Sequence, residues 1–579
     1  MAEQRRAGDR MKPDDSDRKI GIDTVAEVKV KGETFVKEIA ELSLVQEVGE
    51  HHVLTVRLRR PDQTRSFESV SDAGKYTAFL GQSLSLTIRP QGGMIDQSET
   101  LSFTGIVTEA RFDSSVGEFN TVLITAKSPT IALDGATENT LHFNMKGSDA
   151  IEKTMSAFEV TKGTVEATKV TFPYIVQYRE TAWSFIKRMA GAGGLFTVYD
   201  GAKLSVVSAG SSVQTNLAWN KDIAAISLGV GTAPARFSGL SYSSEKDQEY
   251  QADSKGLKLP KALPKFASDS EKASQQIYKS PGYADLGVMA DQQGGLDGLL
   301  TSQKASAVGS MVRCLVTSVV PKIFPGMCTN LSGLGDLDGP YYVTKVDHRF
   351  DDNGRYHNEF AGLPLDAAYP PQHNGPALTH LQTALVKDNN DPERLGRIKV
   401  QFRWMPDEDS IWMRYVSFHA GKEHGMYALP EVGDEVLVGF EFGNPAAPVA
   451  LGSVYNKTGK PAGDLVNSDN DFKGLVTRSG HRLVLSDESG AEKIEIVSKD
   501  EKCRIVLDVA GPSISIETDG DISLSGANIT LDASNKLTLK SGADTEIKAS
   551  ANLKEQASAN VDIKGSGQVN VKGAMINLN

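Results

Sequence analysis

The segment DISLSGANITLDASNKLTLK, residues 521–540, contains the pattern that decides the fold of this chain. Aliphatic residues occur in pairs two positions apart with one polar residue between them, as in Ile522-Ser523-Leu524. A spacing of two is typical of a β-strand that turns one face inward. The pairs recur about every eight residues from Ser513 to Asn579, with Gly- and Asn-rich breaks between them. A fixed short period predicts a repeat architecture.

An eight-residue repeat is too short to close a β-helical coil within one chain. At about 3.3 Å per residue it supplies one short strand and its turn, which is one side of a coil. Three identical chains wound about one axis would supply three sides, bury the aliphatic pairs and leave no open strand edges. We therefore predict a homotrimeric, intertwined, triple-stranded β-helix over residues 481–579, a needle, rather than a flexible tail. Its predicted core residues are Ile514, Ile516, Ile522, Leu524, Ile529, Leu531, Leu537, Leu539, Val561, Ile563, Val569 and Val571.

The needle pattern is imperfect at one place, and its end is expected to be exposed. Thr545 and Glu555 stand where aliphatic residues are expected, so polar groups or an ion would lie inside the needle at that level. The sequence does not distinguish these two possibilities. Open strand edges and exposed apolar patches tend to bind other protein surfaces, so the last repeat is the predicted docking site of a tip protein. That site comprises Met575, Ile576, Asn577, Leu578 and Asn579.

Composition places the chain among large folded proteins. It has 579 residues, 39% hydrophobic and 23% charged, and a net charge of −12 argues against nucleic acid or an anionic membrane as the main partner. Cys314, Cys328 and Cys503 are far apart, which predicts neither a disulfide framework nor a zinc site. The first nineteen residues lack the apolar core of a signal peptide, so we expect synthesis and assembly in the cytoplasm.

The portion before the needle is predicted to contain a leader, a hub domain and a small barrel. Residues 1–20 form the predicted disordered leader, and residues 21–375 form a predicted hub of two β-barrels with some helices. The polar stretch at 246–297 predicts an insertion with a long surface excursion. Helices are predicted at 149–158 and from Tyr178 through Met189. Residues 376–456 predict an OB-like barrel, and residues 457–480 a neck. The fold class is therefore mainly β.

Three local stretches resemble the VgrG family, which is similar to a fusion of phage tail hub and tail needle proteins. They are YRETAWSF at residues 178–185, DPERLGRIKV at 391–400, and LPEVGDEV at 429–436, the last followed by a Gly-Asn-Pro turn. The resemblance covers about residues 20–579. It implies the central spike of a contractile injection system, whether type VI secretion-like or an extracellular phage-tail-like particle.

The family resemblance also implies the partners of the chain. These are two further copies of itself, a hexameric inner tube protein, baseplate proteins, a PAAR-type tip protein and effector cargo. The implied spike meets a membrane only transiently, during injection, and is ejected out of the cell or into a target.

The sequence shows no catalytic site, cofactor site or metal site that we would assign. His424 lies in a loop, and the Gly- and Asp-rich stretch at 333–339 lacks the spacing of known phosphate or calcium loops and predicts a turn. Five residues offer cations and an aromatic ring for single-stranded nucleic acid: Arg394, Arg397, Lys399, Arg403 and Trp404. However, Lys399, Gln401 and Arg403 form the polar face of an alternating strand, as in any half-exposed strand. We therefore expect a structural protein with no nucleic-acid partner. A needle carrying a cell-wall hydrolase and a trimeric adhesive fibre remain as alternatives.

Overall fold

The computed structural model describes residues 24–59, 73–91, 99–113, 121–210, 213–243, 246–259, 263–283, 292–370, 379–405 and 408–578. The predicted leader and Asn579 lie outside these residues. The chain divides into two compact units, residues 1–460 and 461–579, which are described separately.

The hub region of the first unit is mainly β, as predicted. Its strands alternate buried and exposed residues, as in the seven-residue first strand TVAEVKV. In chain order its elements are β1 (Thr24–Val30), β2 (Glu33–Phe35), β3 (Ile39–Glu47), β4 (Val53–Arg59), α1 (Ala73–Thr77), β5 (Ser83–Pro90), β6 (Leu101–Asp113), β7 (Thr121–Lys127), β8 (Glu138–Lys146), α2 (Gly147–Met155), β9 (Lys162–Val165), β10 (Thr171–Glu180), α3 (Ala182–Ala192), β11 (Phe196–Tyr199), β12 (Leu204–Val207), β13 (Val213–Ala218), β14 (Ile223–Val230), β15 (Phe237–Ser243), β16 (Gln248–Asp253), α4 (Ser268–Ile277), β17 (Gly282–Tyr283), α5 (Gln293–Gly309), β18 (Val312–Ser318), β19 (Cys328–Ser332), β20 (Gly339–Asp351) and β21 (Tyr356–Pro364).

One large sheet joins the two halves of the hub. Its strand order is β14-β18-β21-β20-β3-β4-β7-β6-β5-β1-β2, with β13 and β19 attached beside β20. The antiparallel pairing of β20 with β3 connects segments about 300 residues apart, and Val346 lies opposite Gln46 there. Separate hydrophobic cores lie on either side of this seam, one centred on β1–β7 and the other on β18–β21. The two predicted barrel portions therefore share a continuous sheet.

A buried polar chain crosses the seam between β3 and β20. The Gln46 amide N–H donates to His52 Nδ1 at 3.0 Å, and Gln46 Oε1 accepts from His348 Nε2 at 3.1 Å. The Tyr356 hydroxyl donates to His348 Nδ1 at 2.6 Å, and it accepts from Asn358 Nδ2 at 2.9 Å. Burial lowers the pKa of His52 and of His348 to about 3. Both imidazoles are therefore neutral in the folded hub, which this pattern of donors and acceptors requires.

The structure corrects the start of the second predicted helix. Tyr178 does not begin a helix, because β10 continues to Glu180 and pairs antiparallel with β8. Arg179 has a positive φ of 51° where the register shifts, and Asn139 Oδ1 accepts a hydrogen bond from its backbone N–H. Helix α3 begins at Ala182, capped by Thr181 Oγ1, which accepts from the Ser184 N–H. Pairing with a neighbouring strand thus overrides the helical spacing of the apolar residues.

The predicted surface excursion at 246–297 is also wrong as a description of local structure. Its described residues contain β16, α4, β17 and the start of α5. Leu296 and Leu300 of α5 are buried in the same core as Trp183 of α3, so this segment is packed against the hub. The polar composition of this segment gave no indication that α5 packs into the core, because its packing partners lie far away in the sequence.

The OB region is a five-stranded closed barrel. Its elements are β22 (Gln382–Asp388), β23 (Lys399–Phe402), β24 (Arg414–Tyr415), β25 (Ala420–Gly421), β26 (His424–Gly425), β27 (Glu435–Phe440) and β28 (Pro448–Ser453). The sheet runs β23-β22-β27-β28-β24, with β25 and β26 forming a separate hairpin. Ile398 and Met413 exchange backbone hydrogen bonds of 3.0 and 2.9 Å, which join the first strand region to the last and close the barrel.

A buried ion pair fixes the loop before β23. Arg397 donates to both carboxylate oxygens of Asp391, at 3.0 and 2.8 Å, and each side chain is only 3% exposed. Asp391 also accepts backbone N–H bonds from Glu393 and Leu395. Hydrogen bonding from Arg397 lowers the pKa of Asp391 to about 2. The DPERLGR stretch therefore forms a clamped turn in which Gly396 adopts a φ of 73°.

The second unit begins with an antiparallel meander that the sequence analysis did not predict. Its five strands pair in sequence order. They are β29 (Phe472–Val476), β30 (Arg482–Ser486), β31 (Lys493–Val497), β32 (Cys503–Asp508) and β33 (Ser513–Thr518).

We predict that the hub loses stability when the pH falls below the unfolded histidine pKa of about 6.5. The folded pKa values of His52 and His348 are depressed, so their stability is fully present above about 6.5 and is lost as the pH falls toward 3. Thermal unfolding of the full-length protein between pH 7.5 and 4 measures this loss. His348→Gln should lower stability at pH 7.5 by roughly 1–3 kcal/mol and flatten the pH dependence. His357→Gln changes an exposed histidine on the adjacent strand β21 and should retain the wild-type slope. Equal slopes in all three proteins would contradict the assignment.

We predict that Arg397→Leu destabilises the OB barrel by about 3–5 kcal/mol, because it leaves the buried Asp391 carboxylate without its cation. Arg403→Leu removes an exposed ion pair with Glu435 and should cost at most about 1 kcal/mol. Denaturant unfolding of both variants compares the two losses. Similar losses would show that the Asp391–Arg397 pair does not fix the barrel.

Candidate functional site

The candidate site is the aliphatic array, which we define as the twelve predicted core residues of the needle. Bends recur at residues 519–520, 527, 534–535, 542–543, 550–551, 558–559, 566–567 and 574. Every predicted pair from Ile522 onward occupies the second and fourth positions after a bend. The backbone therefore repeats the spacing that the sequence pattern indicates.

The aliphatic array is largely exposed in the single chain. The exposed fractions of its twelve residues range from 54% for Val569 to 73% for Ile514 and Leu539. Between residues 521 and 578, all of which the structure describes, the single chain forms no paired β-strand. Monomeric proteins rarely expose contiguous apolar surface of this kind. The array therefore has the properties of an interface that one chain leaves uncovered.

The apolar face of the meander continues the array toward the N-terminus. One row across the sheet consists of Leu475, Leu483, Ile496, Ile505 and Ile516, each directly opposite the next in register. A second row runs Leu485, Ile494, Leu507 and Ile514. All nine side chains are exposed, whereas the opposite face carries Glu495, Arg504 and other charged groups.

Sequence reasoning missed these earlier pairs although a signal was present. Leu483-Val484-Leu485, Ile494-Glu495-Ile496 and Ile505-Val506-Leu507 are i, i+2 pairs at eleven-residue spacing. The spacing shortens to nine and then eight residues as the meander ends and the bends begin. Ile514 and Ile516 belong to both parts, since they lie on β33 and also form the first pair of the array.

Thr545 and Glu555 occupy the same positions within their repeats as the aliphatic array residues occupy in the intact repeats. Thr545 is the second residue after the bend at 542–543, and Glu555 is the fourth residue after the bend at 550–551. They are therefore equivalent to Leu537 and Leu539 of an intact repeat. The bends continue through this region at the same spacing, so the interruption changes the chemistry of two repeats without changing their geometry.

Two of the predicted tip residues, Met575 and Leu578, are the most exposed apolar side chains among the described residues of the second unit. Met575 is 80% exposed and Leu578 is 92% exposed, and Ile576 is exposed as well. Asn577 is exposed, and Asn579 lies outside the described residues.

The motifs of the first unit form structural ion pairs. In the 178–185 stretch, Glu180 accepts from Arg188 Nε at 2.8 Å and from its Nη2 at 2.7 Å, with both side chains at least nine-tenths buried. Arg188 also donates to the Val176 carbonyl and packs on the Phe185 ring. This clamp ties α3 to β10. In this clamp, as in the Asp391–Arg397 pair, the carboxylate and the guanidinium group are paired with each other and buried. Neither pair presents a charged group to a substrate.

The residues considered for nucleic acid and for catalysis do not form a site. Trp404 stacks on Phe402 and donates its indole N–H to Gln382 Oε1 at 2.7 Å. Arg397 is buried, and Arg403 pairs with Glu435. His424 lies on the exposed hairpin, where its Nδ1 is 2.8 Å from the Lys422 carbonyl oxygen.

Neither a metal-binding cluster nor a membrane-spanning helix occurs among the described residues. No cluster of three or more His, Cys, Asp or Glu side chains is arranged to hold a metal ion. The Gly- and Asp-rich stretch at 333–339 is the turn between β19 and β20, as predicted. In the same part of the chain, no helix combines the length and hydropathy needed to span a membrane.

Comparison with known proteins gives two matches to protein families. The Alg8 N-terminal domain family matches residues 27–352, which is more than half of the chain. The type VI secretion system/phage-baseplate injector OB domain matches residues 382–455.

Curated relatives include spike proteins of Pseudomonas aeruginosa. The type VI secretion system spike protein VgrG5 is 31% identical over 175 residues, covering 26% of this chain and 22% of that protein. VgrG1c is 22% identical over 469 residues, covering 72% of this chain and 62% of that protein. The chain thus spans between about a fifth and three-fifths of the length of these relatives.

A solved structure shares the fold. One chain of the lidded Francisella PdpA–VgrG complex has a TM-score of 0.54 at 8% sequence identity, with 86% of this chain and 80% of that chain covered. The chain belongs to the family of the Alg8 N-terminal domain, and it is a VgrG-family spike protein.

Proposed function

We propose that three copies of this chain assemble into the central spike of a contractile injection system. The observation that carries the proposal is the aliphatic array, whose exposed pairs keep one register relative to the bends over some fifty residues. Three copies wound about one axis would cover these pairs with one another. Each chain would supply one side of a triangular prism, and interchain strand pairing would satisfy the backbone that the single chain leaves unpaired.

The energetic case for assembly rests on the number of exposed aliphatic groups. Full burial of one such side chain is worth about 1.5–3 kcal/mol, and more than half of each array residue is exposed. Twelve residues therefore offer on the order of 10–20 kcal/mol per chain before ordering costs are subtracted. The meander rows add seven more exposed side chains, since Ile514 and Ile516 already belong to the array. This is enough to make a monomeric needle unfavourable.

The other domains fit the same role. We assign residues 21–375 to a hub that joins the inner tube and baseplate, 376–456 to an OB barrel, 457–480 to a neck and 481–579 to the needle. The injector OB domain match supports the second assignment, and the relatives named as type VI spike proteins support the overall role. The hexameric inner tube protein, baseplate proteins and effector cargo are the proposed partners. The PdpA–VgrG complex is an example of a VgrG protein in complex with another protein.

The proposed action is mechanical and involves no catalysis by this chain. Its recognisable motifs hold loops and helices in place through the Glu180–Arg188 and Asp391–Arg397 pairs. Contraction elsewhere in the particle would supply the force, and a narrow prism with interchain hydrogen bonds would transmit it without bending. The chain would be assembled in the cytoplasm and leave the cell as part of the injection particle, meeting a membrane only on injection.

The needle interior is tested by Ile522→Asp. In the trimer this change would place three carboxylates around one axis, at a cost of several kcal/mol per buried unpaired charge. We expect the thermal stability of the trimer to fall sharply. Ser523→Asp alters the adjacent outward residue and should be nearly silent. Equal effects of the two changes would contradict the face assignment.

Oligomeric state gives the direct control for that experiment. Light scattering of the wild-type full-length protein should yield about three times the chain mass of 62.3 kDa. A stable monomer at micromolar concentration would overturn the trimeric spike itself, independently of which face lies inside.

The end of the needle is tested by deleting residues 573–579. The preceding repeats remain, so the trimer should persist, while binding of a PAAR-type tip protein should be lost because Met575, Ile576 and Leu578 no longer form the exposed end. Pull-down with the purified tip protein measures the loss. Retention of the tip protein at wild-type affinity would place docking elsewhere.

A further inference from the structure

A cationic cavity lies in the packed segment that contains α4 and α5. Its volume is about 250 Å³. Its charged lining comes from four separate places in the chain, so it exists only in the folded hub. The residues that matter here are Arg236, Lys255, Glu271, Tyr278, Lys279 and Lys304.

Two of the four cations are held by the protein. Arg236 Nη2 donates to Asp253 at 2.8 Å, and this pairing lowers the pKa of the Asp253 carboxyl, so the pair is neutral overall. Lys304, on α5 and nearly buried, donates to the Leu257 carbonyl at 3.0 Å and lies 3.7 Å from Glu271. These contacts form a rigid base for the cavity.

The other two cations have no ion-pair partner in the part of the chain that the structure describes. Among the described residues, neither the Lys255 nor the Lys279 ammonium group has a carboxylate within ion-pair distance. Tyr278, between α4 and Lys279, likewise has no hydrogen-bond partner for its hydroxyl within the described chain. Four cations thus face two carboxylates, which leaves an excess of two positive charges in a chain whose net charge is −12.

We propose that this cavity binds a phosphate group. Two ammonium groups and a phenol hydroxyl around one concave site match a dianionic group with several acceptor oxygens better than a single carboxylate. Concave walls focus the field of the unpaired lysines and raise the local concentration of anions. The bound group would bridge Lys255, which follows β16, and Lys279, which follows α4. It would therefore link the segment after β16 to the segment after α4.

Binding of inorganic phosphate to the full-length protein tests the proposal. Isothermal titration calorimetry should detect one site per chain that weakens with added salt, and phosphate should increase the hydrogen-exchange protection of α4. Lys255→Gln with Lys279→Gln should lower the affinity at least about tenfold, and Tyr278→Phe should lower it several-fold. Both lysines are exposed, so these variants should fold normally.

Lys272→Gln is the matched control, because Lys272 lies on α4 outside the cavity and pairs with Asp269 on the surface. It should bind phosphate as the wild type does. Absence of binding to the wild type, or equal affinity in the double variant and the control, would overturn the proposal.

Two further probes identify the source of the phosphate group. Glycerol phosphate should compete with inorganic phosphate if the natural ligand is a soluble phosphomonoester. Vesicles of phosphatidylcholine containing phosphatidic acid should retain the wild type but not the double variant if the ligand is a lipid headgroup. The trimeric spike does not enter this proposal, so failure of either one leaves the other standing.

Discussion

The burial of aliphatic side chains that one chain cannot cover is the constraint on which the second unit depends. Each pair of the aliphatic array remains more than half exposed in the single chain. Hydrophobic burial is the dominant favourable term in folding and in association. In the proposed needle these would become one process, because the surface that would form the core is also the surface that would meet the other chains. Folding and assembly of this unit would then be coupled.

The first unit differs from the second, because its hydrophobic cores and buried polar contacts form within one chain. The seam between β3 and β20 joins distant segments through a sheet, and a polar chain from His52 to Asn358 lies buried across it. Two buried ion pairs then fix local geometry, Glu180 with Arg188 and Asp391 with Arg397. Buried charge is costly unless it is paired and hydrogen-bonded, which both carboxylates are. Residues that looked like chemical motifs are thus explained by the geometry they hold.

In the proposed spike, mechanical strength and specific recognition would consequently lie in different parts of the chain. The needle would have a repeated, nearly uniform interior, from which Thr545 and Glu555 depart. The first unit contains the irregular features, including the exposed hairpin at His424 and the cationic cavity beside α4. Regular repeats suit force transmission, whereas loops and cavities held on a rigid scaffold suit recognition. A spike that joins a tube to a needle requires both.

The sequence alone determined those features that depend on short-range pattern. The mainly β class, the OB hairpin of β27 and β28, and the second- and fourth-position spacing after each bend all follow from residues close together in the chain. Only the tertiary structure decided that Tyr178 lies in a strand, that the 246–297 segment packs through α5, and that the meander carries two apolar rows. The physical reason is that strand pairing and core packing join residues far apart in sequence, and they override local helical spacing and polar composition. Arg397 shows the same limit, because the sequence presented it as a cation available for nucleic acid and only the fold shows it paired with Asp391.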